Sequence, residues 1–386
     1  MEHFLDIFEA GLNKHDETLC GDKVKVHRGE DRTIIVLSDG LGSGVKANIL
    51  ATLTSEIIMT MLAADVGIED VISTVIGTLP TCKIRNIAYA TFTVIQISHS
   101  DHSFKVINFD NPPTMHFRRG KILPTERKEY EILGKKIRMF EGQLKLGDFL
   151  GAMSDGVTYA GMGVTMNYGW GWNNIAGYIE ERWRTHYWCA RNVVQDVIGK
   201  TRSLYGDSAG DDATFVGVFV RPVKYLTIFT GPPLDKADDA RITERLLAAP
   251  GVKIVCGGTT ANIVAEQLGQ VLKADLESLR SDVPPFGSLP GVDLVTEGIL
   301  TMTKALEYMR EADGRPDRLP SDRNAATLLA TQLLMADHID FLVGQTINEY
   351  YQNPLLPKSI SIRKHLISEL KEFLTEHRKE VHTEFF

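Results

Sequence analysis

The stretch that most constrains this chain is Ile34-Ile-Val-Leu-Ser-Asp-Gly-Leu-Gly-Ser-Gly-Val-Lys-Ala-Asn48. It opens as a run of β-branched and aliphatic residues, the composition of a buried strand. The run ends on a carboxylate, Asp39, followed by Gly40, Gly42 and Gly44. Apolar residues then return at helical spacing: Ala47, Leu50, Ala51, Leu53, Ile57, Ile58, Met61 and Leu62. A strand end holds an acid rigidly, and glycines let the backbone come close to whatever that acid binds. Hard divalent cations, which take oxygen ligands, suit such a device. For a single Asp-Gly pair the ordinary alternative is a solvated carboxylate in a tight turn. Recurrence decides between the two.

The pattern does recur. Leu146-Gly-Asp-Phe-Leu-Gly-Ala-Met-Ser-Asp-Gly-Val157 again carries an apolar run to Asp155-Gly156. Asp22 follows Gly21 and opens a segment with Val24/Val26 alternation, a strand with one wet face. Asp211-Asp212 feeds directly into the β-run Ala213–Val220. Neighbouring carboxylates at the start of a buried strand repel unless a cation or strong donor meets them. The alternative is that Asp212 faces away, since side chains alternate along a strand. Asp22, Asp39, Asp155 and Asp211 thus all stand at strand ends, which can converge on one edge of a sheet. Four carboxylates meeting there cannot all ionise without divalent cations. The inference is an all-oxygen, two-metal site suited to in-line phosphoryl hydrolysis by a metal-bridging hydroxide. Ser154 lies in no G-x-S-x-G elbow and has no suitably spaced histidine, so a serine nucleophile is not implied.

The remaining elements read as follows. Phe4–Leu12 is a short amphipathic helix or an irregular edge, and 68–79 is a helix closed by Pro80. Ala88–Ile97 and Ser103–Phe109 are strands around a polar turn, and Asn108-Phe-Asp-Asn-Pro-Pro113 breaks the ladder before Thr114–Arg118 resumes it. Trp170, Trp172, Trp183 and Trp188 cluster around a helical pattern at 175–188. They either anchor that helix to the core or line a substrate-facing flap.

A chain of 386 residues most readily makes two domains, and the grammar changes after Pro222. Lys224–Thr230 and Val252–Cys256 read as strands around a helix at Ala240–Ala249, a βαβ unit. Gly257-Gly258-Thr259-Thr260 opens a helix through Leu268, with Thr259 or Thr260 as an N-cap or with backbone amides holding an anion. Amphipathic helices follow near 297–311, 322–351 and 362–380. Leu366, Leu370, Phe373 and Leu374 line one side of the last, facing the domain's own core or a second copy in a homodimer.

A formal net charge of -8 gives no electrostatic case for nucleic acid or an anionic membrane. No apolar run reaches the ~20 residues of a membrane span. The first residues lack the basic and apolar pattern of a signal peptide. The four cysteines form no C-x-x-C pair, which points to a reducing cytoplasm rather than a disulfide or zinc framework.

Ser38–Ala47, Gly147–Val157 and Asp211-Asp-Ala-Thr-Phe-Val216 resemble motifs of the metal-dependent type 2C protein phosphatases, most closely the bacterial branch typified by the stage II sporulation protein E phosphatase domain. Cys20-Gly-Asp22 and Asn108–Pro113 fit that branch as well, and the resemblance spans residues 1 to 222 in order. It implies an α+β fold: an α-β-β-α sandwich of two antiparallel sheets flanked by helices. A smaller, helix-rich α/β C-terminal domain follows at 223–386, regulatory or ligand-sensing in role. The resemblance further implies two Mn2+ or Mg2+ ions and phosphoserine or phosphothreonine proteins as substrates in bacterial signalling. Asp39 would bridge both ions, the Gly40 carbonyl and Asp22 would help hold one, and Asp155 and Asp211 the other. Asp39 and Asp155 are thus the catalytic pair. Lys46 stands where an arginine is common and would meet phosphate as a point charge. The arginine that eukaryotic members use to grip phosphate has no clear counterpart. Two rival readings are an inactive phosphatase-fold sensing or binding module and a phosphatase of small metabolites.

Overall fold

The computed structural model describes residues 3–78, 81–82, 87–88, 90–186, 189–206, 208–280, 282–346 and 362–386. Its contacts divide the chain into two compact units, Met1–Pro222 and Val223–Phe386.

In the first unit the order is β1 (His3–Leu12), β2 (Asp22–Arg28), β3 (Arg32–Gly40), α1 (Gly44–Ala63), α2 (Ile68–Thr78), β4 (Thr81–Cys82), β5 (Ile87–Ala88), β6 (Ala90–Ser98), β7 (Ser103–Phe109), β8 (Met115–Arg118) and β9 (Lys121–Ile122). Then come β10 (Lys128–Ile132), β11 (Lys135–Gln143), β12 (Asp148–Met153), α3 (Asp155–Thr158), α4 (Trp172–His186), α5 (Ala190–Tyr205) and β13 (Ala213–Pro222). Two large sheets form, one ordered β1-β13-β12-β8-β9 and the other β10-β11-β7-β6-β3-β2, and β4 pairs with β5 in a small two-stranded sheet, with antiparallel neighbours throughout.

The near-continuous apolar run of β3 follows from burial on both faces. Ile35 and Leu37 pack between the sheets with Leu5, Ile95, Leu150 and Val216. Ile34 and Val36 pack outward against Ile58 and Leu62 of α1 and Ile72 of α2. On the far side Phe149 and Phe215 meet Ile175 and Ile179 of α4 and Val193 and Val197 of α5. The layers are therefore α-β-β-α. Helix α1 is long and apolar enough to cross a membrane by composition, but one of its faces belongs to this core.

Two expectations are corrected here, and one open alternative is decided. Residues 4–12 are neither helix nor irregular: β1 pairs with β13 along its whole length. Apolar residues at 4, 5, 7 and 8 imitate a helix because both faces of the strand are covered. Leu5 and Ile7 face the sandwich core, while Arg221 and Arg191 lie 4.4 Å over the rings of Phe4 and Phe8. The segment after Pro113 does not resume the β6–β7 ladder; β8 joins the other sheet against β12. Prolines 112 and 113, which offer no N–H to a ladder, mark that transfer. The tryptophans act as anchors: Trp170 is buried, Trp172 Nε1 donates to the Pro113 carbonyl (2.6 Å), and Trp183 stacks on Phe117 and Phe219. Trp188, Leu79 and Pro80 lie outside the described residues.

The second unit contains β14 (Tyr225–Thr230), α6 (Asp238–Ala248), β15 (Val252–Cys256), α7 (Gly258–Leu268), β16 (Lys273–Ala274), β17 (Gly287–Leu289), β18 (Val292–Thr296), α8 (Ile299–Glu311), α9 (Ala325–Met335), β19 (His338–Val343), α10 (Ile362–Glu376) and β20 (Glu380–Phe385). One sheet runs β16-β17-β18-β15-β14-β19-β20, parallel from β18 to β20. Helices α6 and α7 cover one face through Ile242, Leu246, Ala261 and Val264. Helices α8, α9 and α10 cover the other through Met302, Leu329, Leu333 and Leu370. This is a doubly wound α/β sheet.

The long helix expected over 322–351 is instead α9, capped by the Asn324 side chain accepting from Thr327 N, followed by strand β19; residues 347–351 lie outside the description. The helix expected to reach Glu380 stops at Glu376, and β20 pairs in parallel with β19. Leu366, Leu370, Phe373 and Leu374 are buried in this unit's core and offer no dimer face.

Candidate metal centre

Antiparallel pairing sets Asp22, the first residue of β2, directly opposite Asp39 on β3. Opposed residues point to the same face with Cβ atoms ~5 Å apart, where like charges are destabilising. Asp155 begins α3 immediately after β12, and Asp211-Asp212 immediately precedes β13. Since β12 and β13 are neighbours, both termini reach the same edge.

The two Asp-Gly pairs are set by close backbone approach. A Cβ on Gly40 would stand 2.1 Å from the Ala47 carbonyl oxygen, and one on Gly156 would stand 2.0 Å from that of Asp212. Any larger residue would push α1 or the β13 loop away from its acid.

The carboxylates share one field. Asp39 is raised far above the usual carboxylate range, first by burial and then by the charges of Asp22, Asp155, Asp211 and Asp212. Burial also raises Asp22, opposed by hydrogen bonds from Ser154 and Thr214 and reinforced by Asp212 and Asp155. Asp155 is raised by burial and by Asp211. For Asp211, burial outweighs the Asp212 N–H bond (3.0 Å) and the positive charge of Lys14.

Asp212 does not face away. It is 4% exposed, its Oδ1 accepts from Lys14 N (3.0 Å), and its Oδ2 lies 2.8 Å from where a Cβ on Gly21 would be. Alternation fails because Asp212 precedes the ladder of β13 and is turned by the Lys14 amide.

Four further residues take roles that the sequence pattern does not assign them. Ser154 Oγ donates to Asp22 Oδ2 (2.7 Å) and accepts from Thr214 N (2.8 Å), tying β13 to the acid on β2. Tyr205 Oη donates to the Gly156 carbonyl (2.7 Å), and its hydroxyl is pushed up to about 12 by burial and by Asp211 and Asp155. Lys14 and Arg202 help line a cleft of about 350 Å3 that also includes Tyr205. Lys46 is exposed on the first turn of α1.

Two buried carboxylate oxygens at this edge, Asp22 Oδ1 and Asp212 Oδ2, have no hydrogen-bond partner. Buried oxygens without donors, on acids that raise one another's pKa, fit a divalent cation. Among the described residues no three His, Cys, Asp or Glu side chains stand close enough together to hold a metal ion by themselves.

Asp148, close in sequence to Asp155, belongs to a different site. It has no exposure and binds Arg118 through both oxygens (2.8 and 2.9 Å), His116 Nε2 (3.2 Å) and Lys145 N (3.0 Å) at the far end of β12. Burial would raise its pKa, but these partners hold it below the usual range.

A family model described as stage II sporulation protein E (SpoIIE) matches residues 29–221. That span includes Asp39, Gly40, Lys46, Asp155 and Asp211 and begins after Asp22. No curated protein matches the sequence. Among solved structures, the chain is similar to the PP2C phosphatase domain with a fragment of the regulatory domain of SpoIIE from Bacillus subtilis, at 18% identity and TM-score 0.49, covering 57% of this chain and 64% of that one. It is also similar to the RsbU and RsbW domains of a Mycobacterium tuberculosis protein, at 16% identity and TM-score 0.49, covering 68% and 70%. Similarity to RsbX in complex with magnesium is 18% identity and TM-score 0.40, covering 57% and 96%.

Proposed function

The chain belongs to the stage II sporulation protein E (SpoIIE) family, and from that premise we propose that residues 1–222 are a metal-dependent protein serine/threonine phosphatase, acting on phosphorylated protein in bacterial signalling. The single observation that carries this reading is the shared field of acids from four chain segments, with buried oxygens on Asp22 and Asp212 left without donors.

Asp22, Asp39, the Gly40 carbonyl, Asp155 and Asp211 are the groups that would hold Mn2+ or Mg2+ ions. Bound there, the ions would supply a hydroxide near neutral pH and offset charge on the phosphoryl oxygens. The chain's own groups do the rest. Ser154 orients Asp22 and favours its ionised form. The Lys14 amide holds Asp212 inward. Tyr205 fixes the Gly156 carbonyl and so the start of α3. Lys46, beside the positive end of α1, would attract the phosphate of the substrate. Residues 223–386 are proposed as a ligand-sensing regulatory unit and the whole chain as cytoplasmic.

The test is phosphate release from phosphoserine peptides by the full chain. Release should require added Mn2+ or Mg2+, and Asp39→Asn should lower kcat by at least about a hundredfold. Turnover that persists after chelation sinks the proposal. Peptide binding without turnover at any metal concentration favours the non-catalytic module, and preference for small phosphate esters favours the metabolite phosphatase.

A further inference from the structure

The second unit holds a cation, Arg363, that no acid among the described residues meets. Arg363 stands in the first turn of α10, and its Nη1 donates to the carbonyls of Gly344 (3.0 Å) and Thr346 (3.1 Å). Its guanidinium packs against Gly231, where a Cβ would lie 2.3 Å from Nη1. Burial pulls the pKa of this arginine down, and no carboxylate among the described residues pairs with it.

Its place in the fold gives that charge a meaning. Strands β18, β15, β14, β19 and β20 lie side by side in that order, so the winding reverses between β14 and β19. The chain leaves β14 for α6 on one face and β19 for α10 on the other. In open parallel sheets of this kind, ligands bind outside the carboxyl ends of the strands at the reversal. Gly231 directly follows β14 and Gly344 directly follows β19. A Cβ on Gly344 would lie 2.2 Å from the carbonyl oxygens of Gly231 and Pro232. Thr346 then donates its N–H to Pro232 (3.1 Å) and its hydroxyl to Pro233 (2.6 Å). The two loops are thus locked together with Arg363 against them, and its Nε and Nη2 donors take no acceptor among the described residues.

We propose that this reversal point binds a small molecule through a phosphate or carboxylate group, with Arg363 as the anchoring cation. A planar guanidinium matches either group with paired hydrogen bonds, and a partly desolvated one binds it more strongly than a solvated lysine would. The charge comes from the side chain rather than from a helix terminus. The ligand is not a dinucleotide of the usual kind. The turn after β14, Thr230-Gly231-Pro232-Pro233, lacks the further glycines of that fingerprint, and β15 runs into Gly257-Gly258 where an acid for the ribose would stand. Neither Thr259 nor Thr260 caps α7 as anticipated. The cap is Gly257, without a side-chain bond, and Thr260 Oγ1 instead accepts from Gly231 N (2.9 Å), fixing the same loop from the other face.

The full chain, stripped of divalent metal and dialysed free of chelator, is titrated calorimetrically with inorganic phosphate and separately with acetate. Binding of one probe per chain, weakened at least tenfold in Arg363→Met and less in Arg363→Lys, supports the site, and the better probe names the ligand's anionic group. No binding of either probe, or equal binding to Arg363→Met, overturns it. Should Arg363→Met fail to fold through loss of its two carbonyl contacts, crystals of the unaltered chain soaked in tungstate decide. Tungsten density beside Arg363 and Gly231 supports the site, and density elsewhere only, or none, overturns it. Neither readout uses phosphatase activity, so this proposal and the one above fail independently.

Discussion

Ser154 shows how one hydroxyl can decide whether an acid is usable. It is the donor that keeps Asp22 Oδ2 satisfied while the other oxygen stays bare, and it also closes the buried N–H of Thr214. Ser154→Ala should cost about 1–3 kcal/mol in unfolding free energy for the orphaned amide. Where the metal reading holds, it should also raise the Mn2+ concentration for half-maximal activity about 10–100-fold, the usual effect of losing a group that orients a ligand. Asp148 is the contrasting case, an acid whose partners are all protein. Its lowered pKa means that its stabilisation is present above the unfolded value near 4 and is lost as pH falls through the folded one. Asp148→Asn should cost about 3 kcal/mol, at the low end for a broken buried pair because Arg118 is one-third exposed, with Mn2+ dependence unchanged. An altered metal requirement in Asp148→Asn would show that the two acids are not separate.

At the scale of elements, the parts legible in the sequence were those where local chemistry and tertiary place agree. The strand that ends at Asp39, the glycine loop and α1 follow from composition and spacing because β3 is buried on both faces and the loop must touch Ala47. Residues 4–12 were opaque because arginine stacking covers the outer face of β1, erasing the two-residue alternation. Strand β19 reads as helix because Ile339, Phe341, Leu342 and Val343, with Asp340 between the first two, do not keep a strict two-residue alternation that periodicity could assign. Ser154, Tyr205 and the inward turn of Asp212 depend on contacts between segments far apart in the chain, and no local pattern encodes them. The glycines after the acids give a test at this scale. Gly40→Ala and Gly156→Ala would each drive a methyl into a carbonyl oxygen and should lower unfolding free energy by about 2–4 kcal/mol. Gly177→Ala, in the body of α4 with open space around its Cβ position, should instead stabilise by roughly 0.5–1 kcal/mol. Urea titrations of the three variants separate close approach from a general intolerance of added methyls.

For the whole molecule, the acid edge makes stability depend on pH, and on metal as well if the proposed ions bind there. Asp22, Asp39, Asp155 and Asp211 all bind protons more tightly folded than unfolded. Above the ordinary carboxylate pKa near 4 the folded chain therefore holds protons that the unfolded chain has released, so stability falls as pH rises through that window. A cation bound among these acids replaces the protons and removes the repulsion. It adds RT ln(1 + [M]/Kd), about 2.7 kcal/mol at a hundredfold excess over Kd. Protons and metal compete for the same oxygens, so Mn2+ should raise Tm more at about pH 8 than at about pH 5. Without metal, Tm should decline between those two values, and Asp39→Asn, which removes the most strongly raised acid, should flatten the decline and shrink the metal effect. Calorimetric scans of both proteins at the two pH values, with and without Mn2+, measure every term. A metal-induced shift equal at both pH values, or undiminished in Asp39→Asn, would mean that the cation sits elsewhere and that these four acids are tolerated for another reason.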